Sequence, residues 1–148
     1  MFEEYAIRTD SLENTERDGS IDGFRFAVRL PSDRGMWLSL IGGFYVSVDG
    51  GAPYPQSALT LRIGDKLFPV TELATHPWER WGAFQEARLY VKSPGGLAAG
   101  VHTIDFQTVL LSGYFKAREE WVQSPPVPGA SGKIHRFSCA LREGGAPE

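Results

Sequence analysis

A single cysteine, Cys139, leaves no internal disulfide possible and matches a reducing compartment. It has no adjacent His or Lys in sequence, which favours a buried structural thiol over a nucleophile. The three histidines, His76, His102 and His135, lie far apart, and no HxH, HExxH or CxxC spacing marks a preformed metal site. A cupin-like centre needs several histidines and a carboxylate converging inside a barrel. His102 with His135 is a thin start toward one, and the plain alternative is that both are strand-surface residues. No GxSxG, Gly-rich phosphate loop or dinucleotide fingerprint occurs. No apolar run approaches the roughly 18 residues of a membrane-spanning helix, and MFEEYAIRTD is acidic where a secretory signal is basic and then apolar. A cytoplasmic protein without a membrane segment is therefore expected. Fifteen Lys and Arg against 18 Asp and Glu give a net charge of -3 with no basic cluster, which argues against a nucleic-acid partner.

What the chain does have is turns and rings. Gly 17, Pro 10 and 12% aromatic residues point to many short strands rather than long helices, and 148 residues suffice for one domain with a real core. The chain is organised around Phe24 to Val48. In FRFAVRL, Phe24, Phe26, Val28 and Leu30 share one strand face, with Arg25, Ala27 and Arg29 on the other. Trp37 to Ile41 reads as a strand covered on both sides, Gly42-Gly43 as a bulge, and Phe44, Val46 and Val48 resume the alternation. The five-residue loop PSDRG is long enough to join an antiparallel pair, so a hairpin is expected here.

Tyr5 and Ile7 suggest an edge strand, and Asn14 to Gly23, with Asp18-Gly19 and Asp22-Gly23, a loop. Asp49-Gly50 can supply the positive φ angles of a tight turn. Leu59, Leu61 and Ile63, then Gly64-Asp65 and Leu67 to Val70, predict a hairpin. Around TELATHPWERWGAF the period of two breaks, and a helical turn from Pro77 would place Trp78, Trp81 and Phe84 on one side. Ala87, Leu89 and Val91 form a strand; HTIDFQTVLL is the longest alternating run, with Ile104, Phe106, Thr108 and Leu110 on one face. Lys133 to Leu141 gives a last strand, and REGGAPE, residues 142–148, reads as a disordered tail. The expected core comprises Phe24, Phe26, Val28, Leu40, Val46, Leu61, Leu89, Ile104 and Phe106. Eight or nine short strands predict an all-β, antiparallel two-sheet sandwich, jelly-roll-like, in a single domain.

Chemistry is sparse. Glu119-Glu120 beside Trp121 resembles a carboxylate pair, but adjacent strand residues point to opposite faces, and a solvated loop is much the better explanation. Aromatic surface is the stronger signal. Trp78 and Trp81, Tyr114-Phe115, Trp121, and Tyr54 between prolines are more rings than one sandwich core easily absorbs, and Arg34, Arg80 and Arg118 share their loops. The candidate interface residues are Pro31, Asp33, Arg34, Trp78, Arg80, Trp81 and Trp121. Trp81 has two readings, interface anchor or plug at the sandwich end; its polar neighbours Glu79, Arg80 and Gly82 favour the anchor.

The runs IRTDSLEN, DGSIDGFRFAVRLPSDRGMWLSLI, VDG, TELATHPWERWGAF and ARLYVKSPGGLAAGVHTIDF resemble the small β subunits of bacterial C-glycoside deglycosidases. The resemblance spans nearly all of residues 5–115. It implies an antiparallel β-sandwich without its own catalytic set or cofactor, paired with a larger α subunit. That partner would be an isomerase- and epimerase-like TIM barrel carrying a divalent metal such as manganese, in a multimer of αβ pairs. The pair would cleave the carbon–carbon bond between sugar and aromatic aglycone, flavonoid C-glucosides among them, after a separate oxidoreductase has made the 3-oxo sugar. A different class of function, a free-standing carbohydrate-binding or adaptor sandwich, would also use exposed tryptophans and lack catalytic residues; such a module binds sugar alone.

Overall fold

The computed structural model describes residues 6–30, 35–110 and 134–147. Eleven strands lie among them: β1 Glu13–Arg17, β2 Ser20–Val28, β3 Met36–Trp37, β4 Ile41–Val48, β5 Leu59–Ile63, β6 Lys66–Pro69, β7 Arg80–Trp81, β8 Ala87–Lys92, β9 Val101–Leu110, β10 His135–Ala140 and β11 Arg142–Pro147. They form a six-stranded sheet in the order β11-β1-β2-β8-β5-β6, a three-stranded sheet β10-β9-β4, and a two-stranded ribbon β3-β7. The result is an all-β, sandwich-like fold.

Alternation fills the space between the sheets. Phe24, Phe26 and Val28 of β2, Leu59 and Leu61 of β5 and Leu89 of β8 are buried on one side, and Phe44 and Val46 of β4 with Ile104 and Phe106 of β9 on the other. Phe26 meets Phe106 edge-on across the gap at 5.9 Å, and Phe106 stacks on Phe44 at 5.8 Å. The β5–β6 hairpin turns at Gly64, φ 61°, and Asp49-Gly50 takes positive φ as anticipated. A register shift between Ile41 and Gly43 confirms the bulge. Beyond β4 the buried Gln56 amide acts as a strand substitute: it accepts from Phe44 N–H at 2.9 Å and donates to Phe44 C=O at 2.7 Å. Leaving either backbone group unpaired there would cost about 1–3 kcal/mol.

Several expectations are corrected. Phe24 to Val48 is not a hairpin: β2 pairs with β1 and β8, whereas β4 pairs with β9 in the other sheet. Trp37 to Ile41 is not one strand either, because a 3-10 turn at Leu38–Leu40 carries the chain from the ribbon into the second sheet. That turn leaves Leu40, placed in the core by its pattern, 42% exposed. Asn14 to Gly23 is a hairpin turning at Asp18-Gly19 rather than a loop. Asp22-Gly23 lies within β2, where a Cβ on Gly23 would fall 2.0 Å from the Val91 carbonyl oxygen. No helical turn starts at Pro77; the 3-10 turn is upstream, at Val70–Thr75. The segment read as a disordered tail contributes β11, which adds parallel to β1 from Arg142 to Pro147. Ile7 makes a single antiparallel bridge to Val28.

Candidate functional site

The β3–β7 ribbon is only two residue pairs long, Met36 with Trp81 and Trp37 with Arg80. Alternation in so short a ribbon points Trp81 inward and Trp37 and Arg80 outward. Trp81 is fully buried against Phe44 at 6.3 Å, and its indole N–H donates to the Gln85 carbonyl at 2.9 Å. The anchor reading of Trp81 is therefore corrected: it plugs the core, and its polar neighbours simply occupy the outward positions on either side.

The outward positions build something else. Trp78 is 82% exposed and meets the half-exposed Trp37 edge-on at 5.9 Å. The Arg80 guanidinium lies 5.6 Å from the centre of the Trp37 ring, a cation–π contact that holds its charge beside that indole. Gly35 makes room for it, since a Cβ there would come within 2.8 Å of Arg80 Nε and 2.9 Å of the Trp81 carbonyl. Leu38 N–H to the Glu79 carbonyl at 2.9 Å and Lys66 to Glu79 at 3.2 Å tie the segment to the body of the fold. Trp37, Trp78 and Arg80 thus form an exposed aromatic–guanidinium ridge on a braced ribbon. Sequence reasoning found Trp78 and Arg80 but assigned Trp37 to a buried strand. Phe84, expected to share a side with Trp81, is exposed at positive φ, and Tyr54 packs against Phe24 at 5.7 Å. Pro31, Asp33, Arg34 and Trp121 lie outside the described residues, as do Tyr114, Phe115, Arg118 and the Glu119-Glu120 pair.

The histidines do not converge. His102 pairs in register with Cys139, and His135 with Phe106, four positions away on the same two strands. His102 lies between two acceptors, with Asp49 Oδ2 2.6 Å from Nδ1 and the Ala98 carbonyl 2.6 Å from Nε2. Only a doubly protonated imidazolium donates to both. The Ala98 carbonyl and the Asp49 carboxylate accordingly hold its pKa above the ordinary 6.5. Asp49 in turn accepts the Thr103 N–H at 2.8 Å, which with His102 keeps its carboxyl below the ordinary 3.8. Among the described residues no three His, Cys, Asp or Glu side chains gather as metal ligands. Cys139 is buried, and burial pushes its thiol up to about 11, far from a thiolate at neutral pH.

The His102–Asp49 pair has a pH dependence with a definite sign. A raised His102 pKa contributes stability that is complete below 6.5 and lost as pH rises through the folded value. A lowered Asp49 pKa contributes above 3.8 and is lost as pH falls through its folded value. The pair stabilises most between those limits. In a proton NMR titration the His102 midpoint should lie above 6.5 and fall in Asp49→Asn, a substitution the positive φ of that position tolerates; an unmoved midpoint would show that the carboxylate does not hold the proton.

Comparison with known proteins agrees with the resemblance read from the sequence. The family model described as C-glycoside deglycosidase beta subunit matches residues 2–114. A protein of Eubacterium cellulosolvens named C-glycoside deglycosidase beta subunit is 32% identical over 114 residues, covering 76% of this chain and 77% of that protein.

Proposed function

Since the chain belongs to the C-glycoside deglycosidase beta subunit family, and a beta subunit implies a partner, we propose that the Trp37–Trp78–Arg80 ridge is where it meets a larger, catalytic subunit. The exposed ridge carries this reading. Tryptophan and arginine dominate protein interfaces because each covers a large area and also offers a directed polar contact. The ridge stands on a ribbon clamped by backbone bonds, so little freedom is lost when it is covered.

In this reading the partner is an isomerase-like barrel that supplies the divalent metal and the acid–base groups. Together the two chains cleave the carbon–carbon bond of a 3-oxo-C-glycoside. A ketone at the sugar 3-position acidifies the neighbouring C–H, so a base can form an enolate that expels the aglycone from the anomeric carbon, and the electron pair of the broken bond is taken up by a proton delivered to the aglycone carbon. Such a charge-separating reaction gains from a site closed to water. The contribution of this chain is mechanical: a rigid sandwich pressed on the barrel mouth fixes its loops and walls off part of the aglycone pocket.

The test is to coexpress this chain with the candidate larger subunit and assay the purified material for cleavage of a 3-oxo-C-glucoside. Co-elution with activity that neither chain has alone is expected. A chain that elutes by itself and binds a simple sugar would instead be a free-standing carbohydrate-binding sandwich.

A further inference from the structure

The solvent side of the six-stranded sheet carries guanidinium groups at outward positions of three strands: Arg25 on β2, Arg62 on β5 and Arg88 on β8. Register sets Arg62 directly opposite Arg88 and Arg25 opposite Tyr90. Like charges directly opposite each other weaken a sheet. Two of the three are supplied with partners. Arg25 binds Glu13 at 2.8 Å and donates to the Tyr90 hydroxyl at 2.7 Å. Arg62 donates to the Gly64 carbonyl at 2.9 Å and to the same hydroxyl at 3.3 Å.

Arg88 is different: its Nη1 is buried and finds no acceptor among the described residues. The nearby carboxylate does not serve it, because Glu86 is shared between Arg8 at 2.7 Å and Arg29 at 3.1 Å. A cleft of about 350 Å³ opens here, lined by Arg25, Arg62, Gly64, Glu86, Ala87 and Arg88. A buried guanidinium nitrogen without an acceptor is costly, and a second guanidinium held across from it adds to the cost. An anion in the cleft offsets the facing charges and, once the Arg88 side chain turns toward it, gives the buried Nη1 an acceptor; the planar donor forks of arginine match the oxygens of a phosphate or carboxylate. We infer that the cleft between Arg62 and Arg88 is an oxyanion-binding site, taking a phosphate or carboxylate group.

Inorganic phosphate is the probe, titrated into the purified chain at low ionic strength with sodium chloride of matched ionic strength as control. Phosphate at about 20 mM should raise the melting temperature by about 3 °C or more over chloride. Arg88→Gln and Arg62→Gln should each abolish that difference. Without phosphate, Arg88→Gln should melt no lower than the wild type, because it removes a repulsive contact and an unpaired donor together. Equal shifts from chloride and phosphate, or a phosphate shift that survives in either variant, would overturn the inference; should Arg88→Gln fail to fold, Arg62→Gln decides alone. Repeating the titration on the complex with the larger subunit separates two sources of the same chemistry. A persisting shift indicates a free oxyanion. A lost shift, with weaker assembly of Arg88→Gln, indicates a carboxylate presented by the partner. A lost shift with unchanged assembly would count against a functional site.

Discussion

Replacing Phe106 or Phe26 with alanine is expected to lower the unfolding free energy by about 3–5 kcal/mol, a large share of the stability of an ordinary domain. Both side chains are buried, and they touch edge-on at the point where the two sheets face each other. Phe106 also stacks on Phe44, which in turn packs against Trp81. An alanine there opens a cavity between elements held on opposite walls, which cannot close without moving a whole sheet. Denaturant titration reads the effect directly, and in a chain of this size the melting temperature should fall by about 10 °C. A variant that unfolds like the wild type would mean that the strand phases of β2 and β9 are wrong.

Trp78→Ala and Trp81→Ala should behave as opposites. Trp78 contributes little to the isolated fold because it is mostly in solvent, so its loss should leave the melt nearly unchanged while weakening association with the larger subunit by about 2 kcal/mol or more, roughly 30-fold in Kd. Trp81 is fully buried, so its loss should cost about 3–5 kcal/mol of stability, and any effect on association would follow from the unfolding. A thermal melt and a binding titration on each variant suffice. Unchanged affinity in both Trp78→Ala and Arg80→Ala would move the interface elsewhere on the surface.

The contrast between those two tryptophans shows what was legible in the sequence. Period-two alternation identified the buried faces of β2, β5, β8 and β9, because side-chain direction is a local property of a strand. It could not identify which strand lies beside which: Phe24–Leu30 and Met36–Val48 look like a hairpin until the 3-10 turn at Leu38–Leu40 is known to redirect the second run. The β11 pairing was invisible because Arg142–Pro147 joins β1 through its backbone, with no apolar pattern to announce it. Trp81 was misread from the polarity of its neighbours, which in a two-residue strand says only that they face the other way. The arginine cleft escaped notice for a related reason. Arg25, Arg62 and Arg88 are far apart in sequence, and no run of basic residues marks a cluster assembled by sheet order.

The sheet order also bears on how the chain reaches its native state. Val28 finds Ala87 and Val48 finds Ile104, partners roughly sixty residues further along. β2 and β4 are therefore made long before the strands that cover them, and during synthesis at about 5–20 residues per second their apolar faces wait several seconds for β8 and β9 to emerge. Each sheet must close one such loop before it is rewarded with its central pairing, which places the chain among the slow, millisecond-to-second folders. A nascent chain in that interval presents β4 unpaired and β2 paired with β1 on one edge alone, and it is during this delay, rather than in the finished molecule, that the protein is most exposed to aggregation.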